Sequence, residues 1–193
     1  MKIHANADFS KGLAIAIGIG VGALSLQVLT GVAAVAGCVL GWVMLAIAIE
    51  DSRRFIVPDV LSLPMIPAGL CLAGVLDTHG TAYETVLMHF VAMVFGAGGL
   101  YGIRIAYLRA RGVEGLGLGD VKLAAAAGAW LGLTGIGPAL LLACLGALAF
   151  VTLRAWLVGK PIDRSERVPF GAFLAPAVWL VWMAGQVGLS WAW

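Results

Sequence analysis

The stretch LAIAIGIGVGALSLQVLTGVAAVAGCVLGWVMLAIAI, residues 13–49, carries no charged side chain. A membrane-crossing helix needs about 20 mostly apolar residues, so this run is too long for one crossing and long enough for two. Gln27, Thr30 and Gly31 mark the turn between them. The remaining chain repeats the pattern. Of 193 residues, 62% are hydrophobic and 11% charged, whereas soluble domains carry roughly 25% charged residues. The apolar residues fall in uncharged blocks that do not alternate, which argues against a β-barrel. The expected fold class is all-α, a polytopic membrane helix bundle forming a single domain over 1–193.

Seven spans are expected, with six as the fallback: two within Leu13–Ile49, then about Val60–Leu76, Thr85–Leu108, Asp120–Leu133, Gly137–Val158 and Phe170–Leu189. The fifth, containing LAAAAGAWLGL (123–133), is short and rich in small residues. Charge supports the count. Lys and Arg collect in cytoplasmic loops, and an N-terminus-in, C-terminus-out arrangement of seven spans puts all 12 Lys and Arg on the inner side. The outer loops keep only Asp77 and Glu84. A cleaved signal peptide is not expected, because the first apolar run continues into a second span. Cys38, Cys71 and Cys144 lie singly inside spans, without CxxC spacing, and read as buried free thiols rather than a disulfide or zinc framework. No metal site or cofactor is expected. The net charge of +2 needs only a lipid bilayer as partner, not nucleic acid. The most polar loop, GKPIDRSER (159–167), reads as a solvated cytoplasmic segment.

Ionisable groups at membrane depth usually have a task. Asp51 closes the second span and Asp120 opens the fifth, both on the expected inner side. Two helix ends at one depth can bring two carboxylates together, and such a pair shares one proton. The ionised member takes a proton from water, which attacks a peptide carbonyl. The protonated member hydrogen-bonds the carbonyl oxygen, and the pair titrates as a unit. In EGLGLGDVKL (114–123), Gly117 and Gly119 let backbone approach a substrate or a neighbouring helix, and permit the helix break that puts Asp120 at a span end. Glu50 adjoins Asp51 but points about 100° away on a helix. Asp59 follows Pro58 and reads as a structural acid in the first turn of the third span.

GLGD (117–120) followed by VKL resembles the GxGD signature of type IV prepilin peptidases. The wider run EGLGLGDVKLAAAAGAWLG (114–132), PDVLSLP (58–64) after Asp51, and VPFGAFLAPA (168–177) resemble three segments of that family in order. The resemblance implies an integral-membrane aspartic endopeptidase of the inner membrane of a prokaryote. Such enzymes remove a short basic leader from prepilin or pseudopilin substrates at the cytoplasmic face, after a glycine. Carried over by position, Asp51 and Asp120 are the catalytic pair, and Glu114, Gly117, Gly119 and Lys122 match the motif around them. Glu114 is expected to pair with Arg109 or Arg111, with reception of a basic leader as the alternative. Lys122 either orients Asp120 or anchors its span. Pro169 and Gly171 either loosen the start of the seventh span or simply break a helix. Larger members carry a cytoplasmic insert with two CxxC pairs and methylate the new N-terminus. This chain resembles the short form, as in systems making tight-adherence pili, and methylation is not expected of it. Two other readings remain open: an ion-coupled transporter or channel, and a presenilin-like intramembrane protease. Oligomeric state and the identity of the pilin are not legible.

Overall fold

A computed structural model describes residues 2–77, 81–158 and 168–189; the polar loop 159–167 lies outside them. Among the described residues every regular element is helical: α1 (Lys2–Val28), α2 (Gly31–Arg54), α3 (Asp59–Val75), α4 (Ala82–Arg111), α5 (Leu118–Val158) and α6 (Gly171–Gln186). The charge-free opening run does make two helices, and they part at Leu29–Thr30, where Gly31 takes a positive φ of 61°. Four stretches are long and apolar enough to cross a bilayer: Lys11–Val28, Gly31–Arg54, Ala82–Arg111 and Leu118–Leu157. The third and seventh expected spans are shorter apolar helices of 17 and 16 residues.

The expected separate fifth and sixth spans form one 41-residue element. At 1.5 Å per residue a straight helix of that length would reach about 60 Å, twice the roughly 30 Å hydrocarbon core. It is not straight. Gly132 has φ 64° and ψ −172°, a combination open essentially to glycine alone. Asp120 lies within electrostatic reach of Gly171, and the Trp130 and Trp182 rings meet edge to face at 5.7 Å. Residues 118–131 therefore run parallel to α6. Beyond Gly132 the neighbours reverse: Gly135 faces Val181 and Gly146 faces Phe173. The chain turns back on itself at a single residue, a few positions before the expected loop. The described residues thus hold seven helical segments.

The first arm, 118–131, is the centre of the bundle, with Leu123, Ala124, Ala126, Ala127 and Ala129 fully buried. Its small side chains let α3 and α4 approach to backbone contact. A Cβ on Gly128 would sit 2.5 Å from the Ala92 carbonyl carbon, and one on Gly69 2.9 Å from the Ala129 carbonyl oxygen. Where no water can satisfy polar groups, indoles take up neighbouring carbonyls. Trp130 donates to Met65 O (2.7 Å), Trp179 to Gly37 O (3.1 Å) and Trp42 to Gly18 O (2.9 Å). At the Gly132 turn, His89 Nδ1–H donates to Ala129 O at 2.9 Å, filling one of the carbonyls a helix end leaves open.

These pairings run the helices alternately up and down. The ends of α2 and α4 and the starts of α3, α5 and α6 gather at one end of the bundle. Lys11, Arg53, Arg54, Arg104, Arg109, Arg111, Lys122 and Arg154 lie toward that end, while Asp77 and Glu84 lie at the other. The cysteines are free, but only Cys38 is buried. Cys71 and Cys144 face outward, because the outer surface of such a bundle is itself apolar: Ile19, Val35, Phe95, Leu141, Leu148 and Trp156 are all exposed.

Candidate active site

Asp51 sits in the last turn of α2, only 4% exposed. The C-terminal end of a helix carries partial negative charge, so a buried carboxylate there requires donors from elsewhere. They come from α6. The Ala172 N–H donates to Asp51 Oδ2 at 2.8 Å, and the Gly171 amide lies within electrostatic reach of both Asp51 and Asp120. The α6 N-terminus thus points its unpaired amides at the carboxylates, as helix starts do toward anions. Of the two readings left open for Gly171, loosening the span entry or breaking a helix, the position at a helix start fits the second, and it is also a point of close packing. A Cβ on Gly171 would lie 3.0 Å from Asp51 Oδ2 and 2.9 Å from Val57 Cγ2. Pro169 lies in the irregular approach to that helix.

Val57 is the wedge that sets this spacing. The α2 helix ends at Phe55, a non-glycine residue in the left-handed region (φ 55°), whose N–H caps Asp51 O at 2.9 Å. The turn that follows buries Val57 against both Gly119 and Gly171; a Cβ on Gly119 would be 2.8 Å from Val57 Cβ. Gly119 therefore serves the approach of a neighbouring segment, one of its two expected uses.

Asp120 lies in the first turn of α5, half-buried, its Oδ2 accepting from the Gly117 N–H at 3.3 Å. An acid at the third helical position reaching back to the amide just before the helix is the reciprocal half of a capping box. The helix break expected at Gly117–Gly119 is present. Asp51 and Asp120, from separate helices, lie within electrostatic reach of each other across the bundle.

The partners of Lys122 and Glu114 come from elsewhere in the bundle. Lys122 Nζ does not turn to Asp120; it holds both Asp59 oxygens, at 2.7 and 2.8 Å. Asp59 does open α3, with Pro58 as its N-cap, so this pair ties the starts of two helices together. Both side chains are over a third exposed, and such pairs contribute about 0.2–1 kcal/mol. A thermal-melt cycle of Lys122→Met, Asp59→Asn and the double variant is expected to return a coupling in that range; zero coupling would mean the pair ties nothing. Glu114 pairs with Arg104, two turns back on α4, and not with Arg109 or Arg111. Arg104 is buried (9% exposed) and also donates from Nε to Leu116 O at 3.0 Å. Glu50 does point away from Asp51, pairing with Arg54 at 3.3 Å.

Sequence reasoning missed the Ala172 amide, the Val57 wedge and the Arg104 tie. Only the last had a signal, an arginine within an apolar run. Among the described residues no group of three or more His, Cys, Asp and Glu is placed to hold a metal ion. Two cavities of about 230 and 320 Å³ lie at the far end of the bundle, around His89, Trp130, Trp182 and Gln186. Neither cavity is lined by Asp51 or Asp120.

Comparison with known proteins points to one family. The profile of the type IV leader peptidase family matches residues 38–152, which include both aspartates. A prepilin leader peptidase/N-methyltransferase of Xanthomonas campestris pv. campestris is 35% identical over 77% of this chain and 49% of its own length. Proteins of the same name from Aeromonas hydrophila and Burkholderia pseudomallei are 32% and 35% identical, over 88% and 80% of this chain and 56% and 47% of their own lengths. The chain spans about half the length of these curated relatives. No solved structure matches it significantly.

Proposed function

Because the chain belongs to the type IV leader peptidase family, we propose that it is a membrane aspartic endopeptidase that removes the leader of prepilin or pseudopilin substrates, with Asp51 and Asp120 as its reacting pair. The observation that carries this reading is the meeting of two acids from separate helices at one end of the bundle, both within reach of the Gly171 amide. Buried among apolar segments, two neighbouring carboxylates share a proton rather than both ionise. The ionised one removes a proton from a water molecule as its oxygen attacks the scissile carbonyl carbon. The protonated one donates to the carbonyl oxygen, and the tetrahedral intermediate then expels the amine, which takes up a proton. The fixed amides of α6 and Gly117 hold the carboxylates for this exchange without reorganising.

Charge supports one choice of face. The aspartates lie at the end of the bundle that gathers the described Lys and Arg, and basic residues mark the cytoplasmic side. This supports a reading in which the reaction runs at the cytoplasmic face of the inner membrane, with the N-terminus inside. A substrate whose basic leader lies in the cytoplasm, ahead of an apolar helix in the bilayer, would present its junction at that depth.

The test is co-expression with a panel of prepilins, with leader removal followed by gel shift and intact mass. Cleavage after a glycine just ahead of the apolar segment is expected, with the new N-terminus unmethylated. If no panel member is cut, the peptidase reading fails, and ion flux in proteoliposomes becomes the competing reading to measure.

A further inference from the structure

Arg104 is the one buried cation among the described residues, and its two hydrogen bonds go to one short segment. It sits on α4, outside the motif that carries the aspartates. Its Nη2 meets Glu114 Oε1 and its Nε donates to Leu116 O at 3.0 Å. The carbonyl of Leu116 and the N–H of Gly117 belong to the same peptide unit, and that N–H is the donor to Asp120 Oδ2 at 3.3 Å. The peptide is trans, there being no cis bond among the described residues, so its oxygen and its hydrogen point in opposite directions. The guanidinium thus holds one side of a rigid plane whose other side holds Asp120.

The segment needs such a hold. Between α4 and α5 the chain runs GVEGLG (112–117), with three glycines in six residues, and such a run has many backbone conformations available. One turn along α4 from Arg104, Tyr107 supplies a second contact: a Cβ on Gly115 would lie 2.6 Å from its ring. Two side chains of one helix face therefore clamp the loop, one by a fork of donors and one by a flat ring. A charged donor on the carbonyl also polarises the peptide and strengthens its N–H as a donor.

We propose that Arg104 is a positioning residue for Asp120, acting through the 116–117 peptide. This rests on the reading of Asp51 and Asp120 as the reacting pair. The fork geometry is the point: lysine keeps the charge but cannot place two fixed donors on Leu116 O and Glu114 at once.

Two readouts test it on the full-length protein in detergent. One is hydrogen–deuterium exchange of peptides covering 113–121. The other is the steady-state kinetics of prepilin cleavage. Arg104→Gln and Arg104→Lys are both expected to speed exchange in that segment. They are expected to lower kcat by up to about 100-fold, the scale of a misplaced reacting group, while KM stays within about twofold. Arg109→Gln, an exposed neighbour on α4, is expected to behave as wild type in both. Wild-type kcat in Arg104→Lys would show that charge suffices and overturn the proposal, as would unchanged exchange in Arg104→Gln. A rise in KM with kcat intact would also overturn it. If Arg104→Gln does not accumulate, Arg104→Lys decides alone. If the wild type cuts no prepilin, the exchange data still decide the clamp, and it is the peptidase reading that has failed.

Discussion

Asp51→Asn and Asp120→Asn are each expected to abolish leader cleavage while leaving the protein inserted in the membrane. Asparagine keeps the size and the carbonyl oxygen that Ala172 or Gly117 can donate to, so the local hydrogen bonding survives in part. What is lost is a group that can accept and return a proton, an effect of about 10²–10⁴-fold for acid–base catalysis. If both carboxylates serve one proton transfer, as proposed, the double variant should be no worse than either single one. The measurement is prepilin conversion by gel shift, beside immunodetection of each variant in the membrane fraction. If either single variant cuts at more than a tenth of the wild-type rate, that residue is not in the reacting pair. The exposed acids Asp59 and Glu114 would then have to be tested in its place.

The second large effect is on stability. Gly128→Val is expected to prevent the protein from accumulating in folded form, and Gly128→Ala to lower its melting temperature clearly. A Cβ there would lie 2.5 Å from both the Ala92 carbonyl carbon and the Met93 nitrogen. Those atoms are backbone and cannot rotate aside. The first arm of α5 and α4 would have to separate along their length, so the cost exceeds the roughly 1–3 kcal/mol of ordinary overpacking. Gly98 and Gly99, also on α4, have open space where a Cβ would project, with nothing within 4 Å. Gly→Ala at either should be neutral, or stabilising by up to about 1 kcal/mol through helix propensity. Thermal unfolding in detergent, followed by tryptophan fluorescence, separates the two classes. Equal melting temperatures for Gly128→Ala and Gly99→Ala would refute the backbone-contact account.

The sequence exposed some of this arrangement and hid the rest for physical reasons. Leu13–Ile49 had to be two helices because one would overrun the bilayer. Asp51 and Asp120 stood out because ionisable groups beside apolar runs are rare and costly. The point of reversal in α5 was harder: Gly132, Gly135 and Gly137 are equally permissive as residues, and only the fit of the arms against α4 and α6 selects the first. The ion-pair partners of Glu114 and Lys122 were not legible because nearness along a helix is a poor guide where tertiary packing decides. Glu114 reaches back to Arg104 instead of nearer arginines, and Lys122 crosses to α3. The amide donors of α6 left no trace, since every residue but proline has such a group. Exposure of Cys71 and Cys144 was misread because an apolar surface carries no penalty against lipid.

The hydrogen bond from Ala172 to Asp51 joins residues 121 positions apart, and it gives the chain a timetable. At 5–20 residues per second of synthesis, Asp51 leaves the ribosome roughly 6–24 seconds before the helix that supplies its donors. Delivered last among the described helices, the α6 amides complete the surroundings of Asp51, so on the proposed reading the reacting pair is not assembled until α6 has been made.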